Sequence, residues 1–168
     1  RGGDTLFIDG NRDGYLVVFQ HLNHQKFGIR CGQCHHMNKP DDKATGCYEC
    51  HSDMYLTGDA FRHNWHASSL GANLNCFQCH DSKVSKGKDF RNSKTSATEM
   101  CQKCHNNIIP DDSPIKVLKA YKTLSYTDAL HNSCIGCHQQ RLASDTALKA
   151  RKPNLDQCSN CHKTQEGY

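Results

Sequence analysis

The residues of this chain that could do chemistry are its cysteines and histidines, and they are equally numerous. Of 168 residues, 12 are cysteine and 12 are histidine. Every cysteine belongs to a pair with two residues between its members, and a histidine directly follows each pair. The six motifs are Cys31, Cys34 and His35; Cys47, Cys50 and His51; Cys76, Cys79 and His80; Cys101, Cys104 and His105; Cys134, Cys137 and His138; and Cys158, Cys161 and His162.

The spacing C-x-x-C-H is that of covalent haem attachment. Two thiols at this separation reach the two vinyl groups of one porphyrin and form thioethers, and the following histidine ligates the iron. Zinc ribbons and disulfide frameworks are the alternatives. A zinc ribbon has no reason to place a histidine after every pair, and a disulfide framework would not repeat one spacing six times. The sequence therefore predicts six covalently bound haems c.

Such a haem content explains the composition. Hydrophobic residues make up only 36% of the chain, and six haems leave about 28 residues for each, so the porphyrins must supply most of the apolar mass. We expect a multihaem cytochrome c fold: a mostly irregular chain with short α-helices and a small N-terminal β-hairpin, wrapped around a haem core. The longest apolar run, residues 15–19, is far shorter than the ~20 residues of a membrane helix.

Six histidines remain outside the motifs, one for the second axial position of each iron. They are His21, His24, His36, His63, His66 and His131. The match favours six bis-histidine haems, which have no vacant site and therefore pass electrons at low potential without binding substrate. The alternative is five such haems, with one iron open or bound by Met37, Met54, Met100 or a neighbouring subunit. In that case one of the six histidines is an ordinary surface residue, and His63 is the first candidate for it.

Local patterns predict a few regular elements. Residues 5–19 form a hairpin, because two β-prone runs flank a loop rich in turn residues. That loop partly matches a calcium site at Asp9, Asn11 and Asp13, although Gln20 stands where a bidentate Glu is expected, and a plain turn is the alternative. Helices are expected over residues 57–69, 115–124 and 127–143, with residues 144–152 continuing the last or forming another. Residues 82–98, with Lys83, Lys86 and Lys88, form a basic loop that is either solvated or docks an acidic partner.

The segment Val17-Val18-Phe19-Gln20-His21-Leu22-Asn23-His24 runs on to the first motif and to His36. It resembles the class III c-type cytochromes, the tetrahaem periplasmic carriers of sulfate-reducing bacteria. The second motif begins 16 residues after the first, and Phe61-Arg62-His63-Asn64-Trp65-His66 precedes the third, as in that family. The resemblance covers about residues 15–105. The family often has a longer C-x4-C-H at its second and fourth motifs, whereas every motif here is C-x-x-C-H.

The resemblance implies a set of distal iron ligands. They are His21 for the first haem, His36 for the second, His24 for the third and His66 for the fourth. Outside the tetrahaem pattern we assign His131 to the sixth haem and His63 to the fifth. The expected organisation is a four-haem domain over residues 1–110, including the hairpin, and a two-haem extension over residues 111–168.

These observations predict a hexahaem electron-transfer protein of anaerobic respiration, exported to the periplasm or beyond, and not itself an enzyme. It would act as a carrier or as the cytochrome subunit of a membrane-associated oxidoreductase. The expected partners are a tetrahaem cytochrome, a hydrogenase, a dehydrogenase or a quinone-linked membrane complex. We expect membrane contact only through partner subunits or a segment outside this chain. The alternatives are a subunit of an extracellular cytochrome wire and, if one iron is open, a multihaem reductase.

The basic charge does not indicate nucleic-acid binding. The formal charge of the polypeptide is +4, but each haem brings two propionates, so six haems cancel this excess of positive charge. Many of the lysines and arginines are expected to neutralise propionates, and no nucleic-acid partner is predicted.

The first prediction concerns stoichiometry. Because all cysteines are paired in attachment motifs, the denatured protein should exceed its polypeptide mass by about 3.7 kDa, the mass of six haems. Mass spectrometry after treatment with a thiol-alkylating reagent should show no added label. A smaller mass, together with cysteines that react with the alkylating reagent, would contradict the stoichiometry of six haems.

Overall fold

The computed structural model describes residues 4–8, 15–39, 44–79, 101–115 and 122–164. Within these residues the chain is mostly irregular, with short helices and small antiparallel strands, as the sequence predicted. The elements are β1 (Thr5–Ile8), β2 (Tyr15–Gln20), α1 (His21–Lys26), α2 (Cys31–Cys34), β3 (Gly58–Asp59), α3 (His63–Ala67), β4 (Lys122–Thr123), α4 (Tyr126–Ser144), α5 (Thr146–Arg151), α6 (Cys158–Cys161) and β5 (His162–Thr164), with single 3₁₀ turns at Cys47–Glu49 and Cys76–Gln78.

A three-stranded sheet joins the two ends of the chain. β1 and β2 form the predicted antiparallel hairpin, in a register that pairs Thr5 with Gln20 and Ile8 with Val17. β5 adds antiparallel to the other edge of β2, so that Val17 lies opposite His162 of the last motif. The hairpin loop, which carries the hypothetical calcium ligands, lies outside the described residues. The sheet therefore holds the sixth motif against the N-terminal hairpin.

The C-terminal helices are bounded by side-chain caps. Ser125 precedes α4, and its hydroxyl accepts a hydrogen bond from the backbone N–H of Asp128 at 3.1 Å. Asp145 separates α4 from α5, and its carboxylate accepts from the N–H of Leu148 at 2.8 Å. Both arrangements satisfy backbone donors that have no partner within a helix. The helix expected over residues 127–143 is confirmed, and residues 144–152 contain a separate helix, which ends just before Pro153.

Two expected helices differ from the structure. The helix predicted over residues 57–69 is confined to α3, because β3 occupies its beginning. The helix predicted over residues 115–124 does not reach its expected end, since β4 pairs antiparallel with β3 there. The β-branched Thr123 suits a strand, and its hydroxyl donates to the carbonyl of Gly58 at 3.3 Å. Residues 116–121 lie outside the described part, as does the basic loop over residues 82–98.

Side chains alone make a very small core. Across the described ranges, Leu142 is the one buried hydrophobic side chain, and Leu70 is 98% exposed. Such a core cannot hold together a chain of this length, which agrees with the expectation that porphyrins supply the apolar mass. Over the same residues, no helix combines the length and the apolar character needed to cross a membrane.

The cap of α4 provides a test of the fold. Ser125 is 1% exposed, and Ser125→Ala leaves the backbone N–H of Asp128 without its capping acceptor, which should lower the free energy of unfolding by about 1 kcal/mol. Ser144→Ala is the matched control, because the Ser144 hydroxyl is exposed and bonds to the Gln140 carbonyl at the other end of the helix. Denaturant unfolding, followed by far-UV circular dichroism, should show a shifted midpoint for the first variant only.

Candidate haem centres

Four motif histidines each face one histidine from outside the motifs. The distances between ring centres are 5.9 Å for His36 and His51, 6.1 Å for His131 and His162, 6.2 Å for His66 and His105, and 6.4 Å for His24 and His138. The described residues contain no group of three or more side chains that could hold a bare metal ion. The histidine rings meet two by two instead.

These separations fit an iron between two imidazoles. A metal–nitrogen bond of about 2 Å, with the ring centre about 1.1 Å beyond the nitrogen, puts two axial ring centres about 6 Å apart. Ordinary aromatic packing covers the same range, but it would not sort the rings by sequence. Every pair joins one motif histidine to one other histidine, as two axial ligands of a covalently attached haem require.

Backbone carbonyls fix the protonation of several of these rings. The Nδ1 atoms of His24, His35, His51 and His66 each lie 2.9 Å from a carbonyl oxygen, that of Gln20, Thr45, Leu124 and Arg62 respectively. A carbonyl can only accept, so each Nδ1 must carry the proton and donate it. In the neutral ring, Nε2 then carries the lone pair, and this is the tautomer of histidine that binds a metal through Nε2.

His24 and His66 have the same local structure. Phe19 stacks on His24 with ring centres 4.5 Å apart, and Phe61 stacks on His66 at the same distance. Each of the two histidines also donates to the carbonyl four residues before it. The shared pattern is Phe-x-His-x-x-His, which the sequence analysis did not identify as a repeat although both copies are visible in the sequence.

The chain after the fourth motif holds both histidines of the second centre. Ser113, which is 2% exposed, donates from its hydroxyl to the carbonyl of His36 at 3.0 Å. The backbone N–H of Asn38 donates to the carbonyl of Ile108 at 2.8 Å. From the same connecting chain, Leu124 supplies the acceptor for His51. Ile108 and Ser113 therefore hold the backbone at His36, and Leu124 orients the ring of His51, an effect that no local pattern could have predicted.

The attachment cysteines of several motifs lie close together. Burial, followed by proximity to Cys161, Cys34 and Cys47, raises the pKa of Cys134 to about 11. Burial and the nearby Cys137 likewise raise the pKa of Cys34. The first, second, fifth and sixth motifs are thus neighbours, although they are spread over the whole chain.

Burial also favours the neutral state of two candidate ligands. Burial and then the charge of His51 lower the pKa of His36. Burial and then the charge of His24 lower the pKa of His138. A lowered histidine pKa means that protons compete less with a metal for the ring nitrogen. In both cases the second cause is the opposite ring of the same pair.

Each of the four distal candidates in these pairs lies beside one motif histidine. His36, His66 and His131 lie beside the motifs to which they were assigned, whereas His24 lies beside His138 of the fifth motif and not where the resemblance put it. The two other distal candidates lie beside phenylalanine rings. The ring centres of His21 and Phe19 are 4.8 Å apart, and those of His63 and Phe61 are 6.0 Å apart. His80 of the third motif is outside the described residues.

Attachment motifs with a second histidine opposite the first define a multihaem c-type cytochrome. The model of the class III cytochrome c family matches residues 9–105 and again residues 60–162. The chain belongs to this family, and its motifs are those of covalent haem c. The nine-heme cytochrome c of Desulfovibrio desulfuricans is 26% identical over 146 residues, which are 79% of this chain and 40% of that protein. This chain thus spans well under half of that relative. No solved structure matches significantly.

The two family matches agree with the local repeat. Each match contains one Phe-x-His-x-x-His segment in its first part, beginning at Phe19 in one and at Phe61 in the other. The third and fourth motifs fall within both matches.

The pairing of His24 with His138 provides the next prediction. His24→Ala should convert one haem, that of the fifth motif, from low spin to high spin while every thioether remains, because one axial nitrogen is lost. His36→Ala should do the same to the second haem. Visible absorption reports the spin state, and NMR of the shifted haem methyl groups identifies the haem.

His63→Ala is the control for the fifth haem. It removes the histidine first assigned to that haem and should leave the fifth haem low spin. The pairing seen in the structure is wrong if His63→Ala opens the fifth haem and His24→Ala does not.

Proposed function

We propose that the chain is a periplasmic hexahaem cytochrome that transfers electrons at low potential between redox partners, as a carrier or as the cytochrome subunit of a membrane-associated oxidoreductase. The observation that carries this proposal is the pairing of each of four motif histidines with a second histidine. Two imidazoles fill both axial positions, so the protein offers substrate no iron site and its chemistry is electron transfer. Periplasmic or extracellular location follows from haem c, which is attached outside the cytoplasm.

The polypeptide positions and insulates the redox centres. When bound, each haem supplies a one-electron couple between ferric and ferrous iron. The carbonyls of Gln20, Thr45 and Leu124 keep ligand rings in one orientation and one tautomer, so little rearrangement accompanies oxidation. Imidazole pairs without an axial methionine favour low potential, because a methionine ligand would raise it.

The Phe-x-His-x-x-His repeat supports an assignment for the two remaining ligands. The resemblance gives His21 to the first haem, which is attached at the motif directly after it. His63 occupies the same position in the second copy, and the third motif directly follows that copy. We therefore assign His63 to the third haem and His24 to the fifth, which completes six bis-histidine haems.

The division into a four-haem domain over residues 1–110 and a two-haem extension over residues 111–168 stays a prediction. Several contacts join the proposed parts, among them the pairing of β5 with β2 and the facing rings of His24 and His138. If the division is correct, the extension is therefore tied to the N-terminal hairpin and is not an independent module. We expect electrons to pass between the two parts through the fifth haem, whose two ligands come one from each part.

A cluster of basic side chains marks a candidate surface for a redox partner. Lys149, Arg151 and Lys152 are exposed at the end of α5, directly before the last motif. We call these three residues the α5 basic patch. Opposite charges on a partner would accelerate encounter, and salt would screen the effect. The partner that fits is an acidic redox protein.

Charge reversal tests this docking surface. Changing the three residues of the α5 basic patch to Glu should slow reduction by a reduced, acidic tetrahaem cytochrome about tenfold at low salt. Stopped-flow absorption at increasing ionic strength should show the difference disappear.

The control reverses the same number of charges elsewhere, at the exposed Lys26, Lys103 and Lys122. It should change the rate much less. Equal slowing by both triple variants would show that only net charge matters. A rate indifferent to salt and to both reversals would contradict charged docking and favour a permanent complex.

A further inference from the structure

We propose that Asp112 is a positioning residue that holds a negative charge against the first attachment motif and so lowers the reduction potential of the first haem relative to the others. The proposal rests on haem attachment at Cys31 and Cys34, which the mass measurement tests separately. It assigns a role to a residue that neither the motifs nor the axial ligands require.

The carboxylate of Asp112 reaches into the motif itself. Its Oδ2 accepts a hydrogen bond from the backbone N–H of Gly32 at 3.1 Å, and Gly32 lies between the two attachment cysteines. The Asp112 side chain is 15% exposed, and Gly32 is buried. A carboxylate bonded to the residue between the two attachment cysteines, and largely shielded from water, would act on a haem attached there through a weakly screened field.

The glycine in the first motif leaves the space that this carboxylate occupies. A Cβ atom on Gly32 would lie 2.6 Å from Cγ of Asp112, so that any larger residue would displace the carboxylate. The corresponding position of the other five motifs never carries glycine. It is occupied by Tyr48, Phe77, Gln102, Ile135 and Ser159.

The neighbouring residue fixes the turn that carries Asp112. The buried Ser113 donates from its N–H to the carbonyl of Pro110 at 3.0 Å and from its hydroxyl to the carbonyl of His36. The carboxylate is thereby held beside the first motif in the folded protein and is not a mobile surface charge.

The charge has a defined effect on potential. Oxidation adds a positive charge to the haem, so a nearby carboxylate stabilises the oxidised form and lowers the potential. Arg30 lies 3.4 Å from the same carboxylate oxygen, but its side chain is 73% exposed. Water screens the guanidinium more than the carboxylate. The positive charge of Arg30 therefore offsets only part of the effect of Asp112 on the potential.

The experiment compares haem-by-haem potentials in three variants of the full haem-loaded protein. Asp112→Asn removes the charge but keeps an oxygen that can accept from Gly32, and it should raise the potential of the first haem. Asp111→Asn is the matched control, because it removes the same charge from an exposed neighbour and should shift that potential much less. Arg30→Gln should lower the potential, since it removes the partly compensating cation.

NMR-monitored redox titration of the haem methyl groups gives each potential, while mass and spin state confirm that all haems remain attached and low spin. Asp112→Asn and Arg30→Gln are expected to shift the potential of the first haem in opposite directions. Structural damage would instead shift that potential in the same direction in both variants. If Asp112→Asn fails to load haem, Arg30→Gln still decides the question. An unchanged first haem in both variants, or shifts of equal sign, would overturn the proposal. Loss of haem from the wild-type first motif would instead refute the stoichiometry.

Discussion

The axial constraint on each haem iron governs the rest of this structure. In the proposed bis-histidine haems, two imidazoles must stand on one axis with ring centres about 6 Å apart, and the four described pairs lie between 5.9 and 6.4 Å. One ring of each pair is fixed in sequence by its attachment motif, so the other must be brought from elsewhere by the fold. The short helices, the carbonyl acceptors and the stacked phenylalanines all place or orient these second rings.

The constraint also explains how so polar a chain holds together. Leu142 is the one buried hydrophobic side chain of the described residues, so long-range cohesion must come from the haem centres and from backbone contacts. β5 pairs with β2 across most of the chain, Ser113 bonds to the backbone of His36, and Leu124 bonds to the ring of His51. Each contact ties a late segment to an early one. Loss of one haem should therefore loosen segments far from its own motif.

Sequence alone predicted the features that local rules determine. The hairpin and α4 depend on residues close in sequence, and both are where the sequence indicated. The neighbour of His24 was different, because its pairing with His138 spans most of the chain and depends on how the sheet closes. The expected end of the helix over residues 115–124 was wrong, because Lys122 and Thr123 pair with β3 and this pairing outweighs local preference. The repeat shared by Phe19 and Phe61 was visible in the sequence, and it would have indicated that His21 and His63 play equivalent parts.

The central claim is that every iron in this cytochrome has two histidine ligands. Near-infrared magnetic circular dichroism of the fully oxidised protein tests it most directly, because the energy of the ligand-to-iron charge-transfer band identifies the axial pair. The account predicts one band, characteristic of two imidazoles, with the intensity of six haems. A band typical of histidine and methionine, or any high-spin component in the native protein, would contradict it.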